Sequence, residues 1–332
     1  MPTLNELLHA ASRTFAIGID LLPEPLREEV RVAYLLLRVS DYLEDNVSME
    51  PGRKAELLGR WAGVLEGRDA PEALSAAIGV VREETPDALV AAHLTQVHQA
   101  LRAQRPAARA IVERHVRDST LGMERWAVRG PDFADEGDLD DYMHEVAGRV
   151  GWLLTELFAL DVRDVARRRD EMLELGREFG LALQTVNVIR GLHSDWERGW
   201  VFIPRSFLEG PGAEAVALFS ADSRDAVRER TVLERLVRKA ERHLEAARAY
   251  IGLIPRRCHG IRLFCLLPYF FAVRTLAVSR GNARVFEEET KIRREEVRRI
   301  VGASRLLGWS HAWVRWYSAR LARPSTPLPE PS

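Results

Sequence analysis

Two stretches of this 332-residue chain are apolar around most of a helical circumference, and they restrict the fold more than anything else in the sequence. Between 168 and 197, Leu173, Leu175, Phe179, Leu181, Leu183 and Val186 leave little polar face, and 258–278 reads the same way. Helices of that kind sit inside a bundle rather than on its surface. Elsewhere, long segments rich in Ala, Leu, Glu and Arg are separated by Pro and Gly, and alternating β-branched runs are nearly absent. The pattern predicts helices near 3–18, 24–45, 50–66, 71–82, 86–101, 105–128, 138–160, 168–197, 223–251, 258–280 and 293–321. Breaks fall at Pro23–Pro25, at Gly130–Pro131 and in a longer loop from Pro204 to Pro211. With no repeat or linker in view, the expected fold is all-α. It is a single-domain helical bundle around a central cavity over 1–322, followed by an extended tail over 323–332.

Composition narrows the function. A formal net charge of −1 lacks the basic excess of a nucleic-acid binder, so no nucleic acid is expected as partner. Cys258 and Cys265 are too few for a disulfide framework or a structural zinc site, and their spacing fits two small buried residues on one helix face. The N-terminus has no basic region followed by an apolar one, and the most apolar stretch, Leu263 to Val273, is too short to cross a bilayer. A soluble, cytoplasmic protein is expected. Trp309, Trp313, Trp316 and Tyr317 recur at helical spacing beside Arg315, Arg320 and Arg323. Such a stripe fits packing on the bundle and, as a second reading, peripheral contact with a membrane surface.

Two polar patches emerge from apolar helices. Asp41, Glu44 and Asp45 lie at i, i+3 and i+4 on one face, where three carboxylates repel each other unless a cation neutralises them. Mg²⁺ suits such a site, because it takes oxygen ligands, keeps several waters and bridges to phosphate oxygens. A solvated acidic helix end has the same spacing. Arg38 shares that face with Tyr34, and a pairing of Arg38 with Asp41 or Asp45 is the plain alternative. The second patch is a stripe of Asn187, Gly191 and Asp195, with Arg190 and Ser194 beside it.

Jointly the motifs resemble the squalene/phytoene synthase family, its squalene synthases most closely, from about residue 12 to about 295. Ser12-Arg13-Thr14-Phe15 resembles an amino-terminal SR(S/T)F element, and YLLLRVSDYLED (34–45) the first aspartate-rich motif. YMHEVAGRVG (142–151) is similar to the squalene synthase signature, and QTVNVIRGLHSDWERGWVFIP to the segment carrying the second aspartate-rich motif. FCLLP (264–268) and Lys291-Ile292-Arg293 have counterparts as well.

The resemblance implies a class I isoprenoid synthase bundle and a Mg²⁺-dependent, two-step prenyltransferase reaction. Two allylic prenyl diphosphates, with farnesyl diphosphate favoured, couple to a cyclopropylcarbinyl diphosphate, which ionises again and rearranges toward squalene or a related C30 product. Asp41, Glu44 and Asp45 would form one metal site, with Asn187 and Asp195 parts of a second. Ser12, Arg13, Arg38, Lys291 and Arg293 would hold or surround diphosphate. Tyr34, Tyr142 and Arg190 would be catalytic, and Phe15, Val146 and Phe264 would wall the cavity.

Three departures qualify this. The second motif, usually DxxED, reads Gly191-Leu192-His193-Ser194-Asp195; Trp200 replaces an expected arginine; and Glu145 replaces a tyrosine. Mg²⁺ prefers anionic oxygen ligands, so the second site is weakened. Two further readings follow: a diverged member that ionises or cyclises a single prenyl diphosphate, and a non-catalytic assembly or lipid-binding relative. NADPH is the reductant the resemblance implies. No Rossmann-type GxGxxG is present, and Trp200 leaves reductant use open, as are chain length, product and oligomeric state.

Overall fold

The computed structural model describes residues 1–79, 81, 85–208, 214–219 and 225–323, with the backbone alone at Arg13. Every regular element among them is helical. A short pair, α1 (Leu4–Ala11) and α2 (Arg13–Ile19), precedes the long α3 (Leu26–Asp45). Then come α4 (Pro51–Leu65), α5 (Pro71–Ile78), α6 (Pro86–Ala91), α7 (Leu94–Arg102) and α8 (Pro106–Arg129). α9 (Glu136–Met143) runs through a π-helical turn, His144–Gly148, into α10 (Arg149–Asp161). The short α11 (Arg163–Arg167) leads to α12 (Arg169–Glu197), α13 (Ala226–Leu253), α14 (His259–Ser279), α15 (Arg294–Leu307) and α16 (His311–Leu321). Single 3-10 turns occupy Arg205–Phe207, Ala215–Phe219 and Ala283–Phe286.

The expected helices are present, and several are divided for local reasons. The segment 3–18 breaks at Ser12, which is extended (φ −158°) and caps α2 by accepting from the Phe15 amide at 3.1 Å. The helix expected over 71–82 stops at Ile78, because Gly79 turns at φ +78°. Residues 80 and 82 of that segment lie outside the described residues, as do 223 and 224 at the expected start of α13. The segment 86–101 divides at Ala92–His93, where the His93 ring bonds the Leu89 carbonyl at 2.9 Å. The last expected helix, 293–321, is two: α15 ends at Leu307, and Ser310 caps α16. Of the tail expected over 323–332, residues 324–332 lie outside the described residues.

α12 packs against α10, α13 and α14, and glycines let the backbones approach. A Cβ at Gly151 would stand 1.9 Å from the Gly176 carbonyl, and one at Gly180 would stand 2.2 Å from that of Ala147. α14 is longer than the Leu263–Val273 stretch that dominates its sequence. Its 21 residues are long and apolar enough to cross a membrane, but 83% of its most apolar window is buried inside the protein. Near its start the fully buried Arg262 donates to the carbonyls of Ile251 and Ile254, each at 2.8 Å, and to that of Gly308 at 3.2 Å. Behind α3, the Ser40 hydroxyl meets Thr120 of α8 at 2.8 Å and accepts from the Trp61 indole of α4 at 3.2 Å. These bonds fix the helix one residue before its acidic turn. The aromatic stripe divides: Trp313 and Tyr317 pack edge-on against Phe270 of α14, while Trp309 and Trp316 stay about half exposed.

Candidate active site

A cavity of about 500 Å³ opens between α3, α10, α12 and α14. Its α12 lining runs from Gly176 to Asp195, which at 1.5 Å per residue is a length of about 28 Å. The chemistry is segregated along that length. Asp41, Glu44, Asp45, Asn187, Arg190 and Asp195 gather at the carboxy-terminal ends of α3 and α12. Leu154, Phe158, Phe179, Tyr250, Phe264 and Cys265 line the other end.

On the α3 wall, Arg38 donates to Asp41 at 2.9 Å and pairs with Asp87, the second residue of α6. Loss of hydration pushes Asp41 up to about 7; Arg38 pulls it back, while Asp87 and Asp45 push it further. Glu44 is buried and held well above the usual carboxyl range by that burial, then by Asp45 and Asp41, with a hydrogen bond from Tyr142 opposing. One Glu44 oxygen, Oε1, is buried with no hydrogen-bond partner. An unpartnered carboxylate oxygen is costly without a cation or donor. The donors here are all hard oxygens, so the residues fit Mg²⁺. They do not form a ready-made cage: among the described residues no three acidic, His or Cys side chains converge as a ligand cluster. Arginines divide them instead.

On the α12 wall, burial raises Asp195 to about 6, while Arg198 pulls it down. Arg198 donates to Asp195 at 2.5 Å and also reaches Asp45 of α3 at 3.1 Å. Gly191 is buried, and a Cβ there would meet nothing closer than Ser194 Oγ at 3.4 Å, so the missing side chain leaves room. Arg190 faces Glu289 at 3.2 Å, and its carbonyl accepts from the Thr290 amide at 3.1 Å. The strand of chain after α14 is thereby tied to the cavity rim.

Tyr142 sits where the sequence places it, and its setting is aromatic. Its ring centroid lies 5.1 Å from Phe202, 5.5 Å from Trp200 and 5.6 Å from Trp126. Burial, then Glu44 and Asp45, keep its hydroxyl protonated far beyond the usual range. The π turn begins two residues later. It brings Val146 and Ala147 to the cavity while Val150, Gly151 and Leu154 of α10 stay on it. Turns of this kind collect at functional sites, and here the Glu145 carbonyl accepts from the Ser119 hydroxyl at 2.5 Å. The Glu145 side chain points away from the cavity, into Arg149 and Arg125, and Gly122 of α8 makes room for it.

Phe15, Tyr34 and Phe264 also line the cavity, with Phe15 against Tyr34 at 5.7 Å and Phe264 edge-on to Phe158. Ser12 is not among the cavity-lining residues; its hydroxyl accepts from the Phe15 amide as the cap of α2. Lys291 and Arg293 stand off the cavity. Lys291 is 72% exposed and pairs with Glu289 at 2.7 Å, and Arg293 is the exposed cap residue of α15. The side chain of Arg13 lies outside the described residues. Asp87, Glu289 and the bridging position of Arg198 had no signal in the sequence, because each depends on a tertiary approach between separate segments.

The solved structure of TcSQS in a ligand complex is similar over 96% of this chain and 90% of its own, with 26% identity and a TM-score of 0.78. A dehydrosqualene synthase structure shares the fold at 17% identity and a TM-score of 0.62, covering 96% of this chain and 95% of that one. The architecture is thus the all-helical, single-domain isoprenoid synthase fold. The squalene/phytoene synthase family model matches residues 8–296, and the chain belongs to that family. It is 27% identical to the squalene synthase of Schizosaccharomyces pombe over 307 residues, 89% of this chain and 63% of that one. Identity to the squalene synthase of Nicotiana benthamiana is 28% over 310 residues, 91% of this chain and 70% of that one. The human squalene synthase gives 26% over 297 residues, 89% and 67%. The chain therefore spans roughly two thirds of the length of these curated relatives, and 63% of the first.

Proposed function

We propose that this chain is a Mg²⁺-dependent prenyltransferase that joins two allylic prenyl diphosphates head to head. Farnesyl diphosphate is the favoured substrate, and squalene or a related C30 compound is the product. The observation that carries the reading is the polarity of the cavity, with acids and arginines at one end and a long apolar, aromatic chamber at the other. That is the shape of a molecule with a diphosphate head and a hydrocarbon tail.

In this reading Asp41, Glu44 and Asp45 hold Mg²⁺ on one wall, with Asn187 and Asp195 facing them. Bound there, Mg²⁺ supplies charge to stabilise the departing diphosphate. Arg38 and Arg190 add fixed positive charge at the same end. Tyr34, under the Arg38 guanidinium, shapes the rim. Tyr142 stays a neutral phenol, so it offers a hydrogen bond to Glu44 and, with Trp200 and Phe202, ring surface that favours a carbocation. Phe158, Phe179 and Phe264 keep water from that cation.

A second reading rests on Gly191 and Ser194, which leave one carboxylate in the second motif. A site so depleted suits ionisation or cyclisation of a single prenyl diphosphate. Incubation with farnesyl diphosphate and Mg²⁺, followed by product analysis, separates the two. A C30 product supports coupling, and C15 alcohols or hydrocarbons alone overturn it. Repeating the reaction with and without NADPH decides whether the last step is reductive.

A further inference from the structure

We propose that Arg198 is an internal counter-cation that takes the place of one divalent ion on the α12 side of the diphosphate site. The inference rests on the reading of this cavity as a diphosphate site. Its basis is a mismatch of charge between the two walls. The α3 wall carries Asp41, Glu44 and Asp45, against an Arg38 that is shared between Asp41 and Asp87. The α12 wall keeps a single acid, Asp195, because Gly191 and Ser194 stand where two more would be needed for an equal set. Arg198 already meets that acid at 2.5 Å.

The same guanidinium crosses the cavity mouth to Asp45 at 3.1 Å, so one side chain ties the end of α12 to the end of α3 at this rim. Its placement is built into the local backbone. Arg198 closes α12, its amide donating to the Asp195 carbonyl at 3.1 Å, and Gly199 then turns at φ +83°. Trp200 folds back, its amide on the Asp195 carbonyl at 2.9 Å and its ring in the cavity, and Arg198 is left at the rim. A planar fork of donors between two carboxylates does what a bridging divalent ion does: it cancels both charges and fixes their separation. It also presents further N–H groups to an incoming phosphate oxygen. With Asp195 neutralised in this way, the α12 wall has little negative charge left for a metal ion.

Counting bound ions tests this. Mn²⁺ replaces Mg²⁺, inorganic pyrophosphate is held at saturation, and free Mn²⁺ is read by electron paramagnetic resonance. Arg198→Gln is expected to bind one more Mn²⁺ per chain than wild type, and adding Asp195→Asn to it is expected to abolish the gain. Asp195→Asn alone is expected to leave the wild-type count unchanged, which keeps the test sharp if Arg198→Gln fails to fold. Melting supplies an independent reading: Arg198→Gln is expected to melt lower than wild type in EDTA and to recover with Mn²⁺ and pyrophosphate. An unchanged count in Arg198→Gln, a lost ion in Asp195→Asn, or a melting deficit of equal size with and without ions would overturn the inference. Wild type that binds no Mn²⁺ with pyrophosphate overturns the site reading as well; binding indifferent to Arg198 overturns this inference alone.

Discussion

The Tyr142 phenol and the buried carboxyl of Glu44 act on each other's ionisation between α9 and the last turn of α3: Glu44 helps hold the phenol protonated, and Tyr142 draws the carboxyl down. That coupling connects the aromatic cluster around Tyr142 with the acidic rim. Within the same carboxyl, Glu44 Oε1 is buried with no hydrogen-bond partner.

Tyr142→Phe keeps the ring among Trp126, Trp200 and Phe202 and removes only the donor. Turnover with farnesyl diphosphate is expected to fall by roughly 10²-fold, while stability changes by about 1 kcal/mol. Steady-state kinetics beside urea unfolding check both numbers. A rate within twofold of wild type would falsify any direct part for the hydroxyl.

Stability without metal should fall as pH rises. Asp41 and Asp195 are raised to about 7 and about 6 in the folded protein, above the ordinary carboxyl value near 4. The folded state therefore binds more protons than the unfolded one between these values. The stabilisation is fully present below about pH 4 and is lost as pH climbs through 6 to 7. Melting in EDTA is expected to drop from pH 5 to pH 8, and Mg²⁺, which needs ionised carboxylates, is expected to raise it more at pH 8 than at pH 6. A melting temperature that is flat or rising in EDTA over this range contradicts the assignment.

The apolar end of the cavity sets how long a tail fits. Phe264 closes against Phe158 at a centroid distance of 6.2 Å, and Gly18 packs directly on its ring. Phe264→Ala is expected to destabilise the fold by about 3 kcal/mol and to shift preference toward geranylgeranyl diphosphate. Competition between C15 and C20 substrates gives the ratio; no change in that ratio places the length limit elsewhere.

The helix contact behind the cavity tolerates no side chain at Gly151. With the Gly176 carbonyl 1.9 Å from the position of a new Cβ, Gly151→Ala must force α10 and α12 apart. A loss of about 1–3 kcal/mol is expected, by analogy with overpacked cores. Denaturant unfolding measures it, and Gly52→Ala, which meets nothing within 4 Å, serves as the control.

The core helices were legible because burial on all sides leaves a direct mark in sequence: α12 and α14 are recognisable from their apolar circumference alone. The acidic triplet was legible as well, since helical spacing places Asp41, Glu44 and Asp45 together whatever surrounds them. What was not legible depends on long-range approach. The pairing of Arg38 with Asp87 joins residues 49 apart, and nothing near Asp87 marks it. Arg198 pairs with Asp195 by helical spacing, but its reach to Asp45 exists only once the ends of α3 and α12 meet. Ser12 and the Trp309–Tyr317 stripe show a further limit. A polar cap and a diphosphate contact use the same residue types, and periodicity groups aromatic residues without telling which of them the neighbouring helix covers.

The π turn between α9 and α10 ties the site to chain length as well as to residue identity. It accommodates one residue more than an α-helix of the same rise, and each residue turns a helix by about 100°. Deleting Glu145, whose side chain points away from the cavity, would let the segment close into plain α-helix with every cavity-lining side chain retained. Tyr142 would then swing about 100° away from Glu44 relative to the wall that Val150 and Leu154 form. A lineage could switch this hydroxyl off, or restore it, by one codon's gain or loss, with no substitution at any residue that lines the cavity.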